Sequence, residues 1–149
     1  MTLLVPFDGS ALSEAALARA TEFGGLMDEE VVALTVIPED ADYALERGWI
    51  GEAEPFDVET VEGSMRQRVS ELAPEATFRT AIPQGDDPTA TQAMDVARTV
   101  REVAADVGAT IVFVGSENAG RVSAPLSSVG NPISEDPRYD VHIVRHAGR

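Results

Sequence analysis

Three stretches of this chain are apolar almost throughout: residues 3–7 (Leu-Leu-Val-Pro-Phe), 31–37 (Val-Val-Ala-Leu-Thr-Val-Ile) and 110–114 (Thr-Ile-Val-Phe-Val). A strand with one wet face alternates apolar and polar residues. These stretches do not alternate, so each reads as a strand buried on both faces. Burial on both faces requires helices above and below a mostly parallel sheet. Residues 76–82 alternate weakly and read as a further strand. Residues 139–145, which begin at Tyr139 and end at Arg145, read as the last.

Helical spacing fills the intervals. From Leu12 the apolar residues recur at Ala15, Ala16, Ala20 and Phe23. Ser10 or Ser13 is suited to cap this helix, and Gly24-Gly25 marks its expected end. Residues 57–72 carry Val58, Val61, Met65, Val69 and Leu72 on one face. The clearest face holds Ala93, Val96, Ala97, Val100, Val103, Ala104 and Val107. That helix is expected to start at Asp86-Asp87-Pro88-Thr89 and to end at Gly108. The acidic stretch 38–56 reads as a long surface loop with a helical turn around residues 43–47. Its Trp49 and Ile50 are expected to dock on the domain or on a second subunit. A polar, glycine-bearing stretch, residues 117–131, and a short helix precede the last strand. The expected order is βα, β-loop-α, βα, β-loop-short α, β, as one domain spanning residues 1–149.

The sequence has no cysteine, which removes disulfides, thiolate metal sites and cysteine nucleophiles together. Its first residues carry no basic segment, and no apolar run approaches the ~20 residues of a membrane span. A cytoplasmic protein with no membrane partner is the expectation. Asp and Glu total 26 against 11 Lys and Arg, all of them Arg, for a formal charge of −15. Such a surface repels nucleic acid. The absence of lysine favours a halophilic source. At ~1 M salt the Debye length is only ~3 Å, so the self-repulsion is screened.

Ligands of parallel α/β sheets bind at the carboxyl ends of the strands, where strand order reverses. Asp8 lies just past the end of the first strand. It suits hydrogen bonding to a ribose or a base, and it equally suits capping the turn at Gly9-Ser10. Gly115-Ser116 follows the strand at 110–114, with Gly120 and Gly130-Asn131 beyond. These glycines suit close approach of backbone N–H groups to phosphate, and equally an ordinary turn. His142 and His146 are four apart, but on a strand that spacing separates them by about 13 Å, so no metal site is expected. No nucleophile, general base or metal-ligand set stands out, so no enzyme and no catalytic residue is expected.

With these pieces placed, the chain resembles the universal stress protein (UspA-like) family over nearly its full length. The resemblance rests on Val5-Pro6-Phe7-Asp8-Gly9-Ser10, Leu34-Thr35-Val36-Ile37-Pro38, Gly85-Asp86-Asp87-Pro88 and Val112-Phe113-Val114-Gly115-Ser116. It implies a Rossmann-like three-layer α/β sandwich, similar to the adenine nucleotide alpha hydrolases, with a five-stranded, mostly parallel sheet in the order 3-2-1-4-5. It implies a homodimer paired through Tyr139 to Arg145, and ATP or another adenine nucleotide as cofactor. By this resemblance Pro6, Asp8 and the backbone of Val36 hold the nucleoside, and Gly115, Ser116, Gly120, Gly130 and Asn131 lie in the phosphate loop. That loop in the family has the form Gly-x2-Gly-x9-Gly-Ser/Thr. Here Glu117 stands at the first glycine, or Asn118 at the second, according to register. Asn131 stands at the Ser/Thr, and Pro132, which lacks an N–H, follows it. Arg121 is the one cation in that stretch. Two expectations follow: a nucleotide-sensing stress-response module, or a scaffold of the same family that dimerises and engages an unidentified protein partner without nucleotide.

Overall fold

The structure is a computed structural model and describes residues 1–83, 92–116 and 139–147, the side chain of Ala93 apart. Five strands run in chain order as β1 (Thr2–Pro6), β2 (Glu30–Val36), β3 (Thr77–Ala81), β4 (Ala109–Gly115) and β5 (Asp140–Val144). Every pairing is parallel, and the sheet order is β3-β2-β1-β4-β5. This is the order the family resemblance implied. Starting from β1 the chain builds outward through β2 to β3, then crosses to the other side of β1 for β4. Strand order therefore reverses between β1 and β4.

The non-alternating strands do what their composition requires. Leu3, Val5 and Phe7, with Val31, Ala33, Ile37 and Phe113, form one buried layer. It is closed by Ala16, Leu17 and Ala20 of helix α1 (Ala11–Met27) and by Val61, Met65 and Val69 of helix α3 (Val58–Leu72). Leu4, Val32, Leu34, Val36, Val112 and Val114 face the opposite way, onto Val100, Val103 and Ala104 of helix α4 (Gln92–Val107). Burying each of these larger side chains contributes roughly 1.5–3 kcal/mol.

Several boundaries differ from the sequence expectation. Helix α1 does not stop at Gly24-Gly25 but continues to Met27, ending at Asp28 in the left-handed region (φ 56°). Gly24 is there for packing: a Cβ on it would stand 2.8 Å from Val31 Cγ2. Leu72, placed on the core face of α3 by spacing, is 48% exposed, because Ala73, four residues after Val69, takes the core position instead. The helical turn expected around residues 43–47 is helix α2, which begins two residues earlier and spans Ala41–Glu46. The expected helix start at residues 86–89, the stretch 117–131 and the short helix after it lie outside the described residues.

Candidate functional site

The site is built where β1 leaves the sheet. Phe7 N–H still donates to Leu34 O at 2.7 Å, and the fully buried Thr35 hydroxyl donates to Phe7 O at 2.7 Å. These two bonds hold Phe7, the first residue past β1, before the turn. Gly9 then takes φ 82°, a conformation that strains any residue with a Cβ. Ser10 caps α1, its Oγ accepting from Ser13 N–H at 3.2 Å. Asp8 stands at the head of this turn. Its Oδ1 accepts from Ser10 N–H at 2.9 Å, the turn-capping role. Its Oδ2 faces Arg47 Nε at 3.8 Å, an ion pair too long for a hydrogen bond. The Asp8 side chain is 21% exposed and that of Arg47 29% exposed, so the pair is partly open to a ligand.

Arg47 arrives on a strap formed by α2 and the residues after it. Asp40 caps α2, its Oδ1 accepting from Asp42 N–H at 2.9 Å. The same carboxylate ties the strap to α4, with Gln92 Nε2 donating to Oδ2 at 3.2 Å. The Arg47 guanidinium lies over the Tyr43 ring, 4.4 Å from its centroid. A turn through Gly48 (φ 76°) then brings Trp49 edge-on to Tyr43. Trp49 Nε1 donates to Asp8 O at 2.8 Å. Trp49 thus docks on its own domain, and it clamps the strap to the residue at the centre of the site.

The expected site residues converge only in part. Pro6 ends β1, opposite Leu34, and Asp8 lies two residues beyond it. Val36 ends β2, buried, opposite Ala81 of β3. Gly115 ends β4, and a Cβ on it would stand 2.8 Å from Leu12 Cβ, so β4 closes directly against the first turn of α1. Ser116 follows, exposed. Pro6, Asp8, Val36, Gly115 and Ser116 therefore share the carboxyl edge of three adjacent strands, at the reversal of strand order. Gly120, Gly130 and Asn131 lie outside the described residues, as do Glu117, Arg121 and Pro132.

Sequence reasoning missed Arg47 and named only Arg121 as compensation for a bound anion. The local signal was present in the Asp40 cap and in Tyr43 four residues before Arg47. What the sequence could not show was the contact with Asp8, which joins elements 41 residues apart in the case of Trp49. His142 stacks on Phe113, with centroids 4.9 Å apart, and meets Phe23 edge-on. Its ring extends the core layer. Among the described residues no group of three or more His, Cys, Asp or Glu side chains is placed to hold a metal ion. A hollow of about 240 Å³ at the amino ends of the strands is lined by Glu29, Glu30 and Glu75, a wall that repels anions.

The sequence matches the model of the universal stress protein family over residues 1–145. No curated protein matches it significantly. Among solved structures it is similar to a universal stress protein family member from Burkholderia pseudomallei, at 18% identity and TM-score 0.60, covering 97% of this chain and 96% of that one. A universal stress protein in complex with cAMP is similar at 21% identity and TM-score 0.54, covering 99% and 98%. The universal stress protein from Archaeoglobus fulgidus in complex with dAMP is similar at 15% identity and TM-score 0.55, covering 97% and 95%.

Proposed function

Because the chain belongs to the universal stress protein family, we propose that it is a nucleotide-sensing module of a stress response, binding an adenine nucleotide at the carboxyl ends of β1, β2 and β4. The observation that carries this reading is Asp8. It is a carboxylate with one oxygen free of hydrogen bonds among the described residues, partly exposed, at the point where strand order reverses. Such an oxygen accepts from sugar hydroxyls or from a base amine. Two proteins that share the fold were solved with cAMP and with dAMP, which supports adenine nucleotides, ATP among them, as the ligand class.

The working form in this reading is a homodimer in a salty cytoplasm. β5 pairs with β4 on one side, and the exposed Ile143 lies on it. A strand at a sheet edge is a template for a second chain. No helix among the described residues is long and apolar enough to cross a membrane. A second reading, the nucleotide-free scaffold, is favoured by Glu117, Asn131 and Pro132 in the phosphate-loop stretch.

Calorimetry in molar KCl, on protein stripped of copurified ligand, separates the two. Saturable binding of ATP, ADP or AMP is expected, with Asp8→Ala weakening it at least tenfold, the size of one lost charge-assisted hydrogen bond. Absence of binding by folded protein would leave the scaffold reading.

A further inference from the structure

We infer that Arg47 is a specificity-determining residue: its guanidinium, held beside Asp8, recognises the single phosphate of an adenine mononucleotide whose sugar Asp8 holds. The inference rests on the reading above that Asp8 anchors the nucleoside.

Three observations carry it. First, Arg47 is incompletely used by the fold. Its Nε is buried, 3.8 Å from Asp8 Oδ2, and makes no hydrogen bond. Arg68, also close to the turn at Gly9, is by contrast directly bonded to Glu14. A guanidinium carries five donors in a planar fork that matches a phosphate, and one charged oxygen at 3.8 Å leaves most of that capacity open.

Second, Arg47 is fixed in place. Tyr43 supports it from one face. The strap carrying it is pinned by the Asp40 cap, by Gln92 and by the Trp49 bond to Asp8 O. A residue held this way stays at the site when ligand arrives. It joins the ligand rather than swinging off Asp8.

Third, the charge count selects the ligand. The protein carries a formal −15, and an unaccompanied Asp8 would repel any phosphate near the sugar. Arg47 cancels that charge locally. With Asp8 neutralised, the unused N–H donors of the guanidinium are what a phosphate meets, and in AMP that phosphate is borne by the same sugar whose hydroxyls face the carboxylate. A triphosphate places most of its charge farther from the sugar and from Arg47.

The test is calorimetry with adenosine and AMP in molar KCl, on the unmodified protein, Arg47→Ala and Arg79→Ala. Arg79 lies on the edge strand β3, where it pairs with Asp106 in the last turn of α4, and controls for loss of any positive charge. The unmodified protein and Arg79→Ala should bind AMP at least tenfold more tightly than adenosine. Arg47→Ala should lose that preference while keeping its affinity for adenosine, which also shows that it is folded. Equal binding of adenosine and AMP by the unmodified protein overturns the role of Arg47 and leaves Asp8 as anchor. Tighter binding of both by Arg47→Ala overturns it too, because Arg47 would then compete with ligand. If neither compound binds the unmodified protein, the nucleoside reading itself fails.

Discussion

At the end of β4 the distance between two elements is set by one missing methyl group. Gly115 lies where a Cβ would meet Leu12 Cβ at 2.8 Å, closer than carbon atoms pack. Gly115→Ala must push α1 away from β4 or distort the strand end. Overpacking of this kind costs roughly 1–3 kcal/mol. Urea denaturation should show that loss, and an unchanged midpoint would mean that α1 retreats freely. The sequence made Gly115 legible as a special position but not the reason for it. A glycine that lets backbone approach phosphate and one that lets a helix approach a strand look the same in a sequence. Gly24 makes the same point. Beside Gly25 it signalled a helix end, whereas it is a buried contact with Val31 inside a helix that runs on to Met27. Asp8 was readable as either turn cap or ligand group. In the structure its two oxygens divide, one to Ser10 N–H and one toward Arg47.

Among elements, the strands were the most legible and the strap the least. β1, β2 and β4 declare themselves because burial on both faces leaves no polar residue to alternate. The face of α4 was equally plain, with Val100, Val103 and Ala104 all buried as the spacing required. The strap has no such pattern. Its helix α2 has only six residues and buries only Tyr43 and Ala44. So short a helix is marginal by itself and depends on tertiary contacts that no local window contains. Trp49 is the chief of these. Trp49→Phe keeps the ring but removes the bond to Asp8 O, a loss of about 1 kcal/mol. The amides of Arg47 and Trp49, bonded to Tyr43 O and Ala44 O, should then exchange about fivefold faster with deuterium. Exchange at the unmodified rate would show that Tyr43 and the Asp40 cap hold the strap without the indole.

For the whole molecule, the charge read from the sequence and the packing read from the structure bear on different conditions. The core is ordinary: two apolar layers, one on each side of a parallel sheet. The charge is not, at −15 with no lysine. Self-repulsion destabilises the compact state, and screening relieves it. The melting temperature should therefore climb steeply as KCl is raised from ~0.1 M to ~1 M, where the Debye length falls from ~10 Å to ~3 Å. A flat profile would mean that repulsion is already balanced locally, by pairs such as Arg68–Glu14 and Arg98–Asp95. The order of the strands came from the family resemblance and not from residue patterns. Periodicity shows that a strand is buried, but it does not say which strand lies beside it.

The bond from Trp49 to the main chain of Asp8 has one more consequence. Trp49 is the only tryptophan in the chain. Its indole emission therefore arises from a single place, at the edge of the proposed nucleotide crevice, with its N–H on the carbonyl of Asp8. Fluorescence of the unlabelled protein is a local signal from that crevice, and any event that shifts Asp8 is written directly into its colour and intensity.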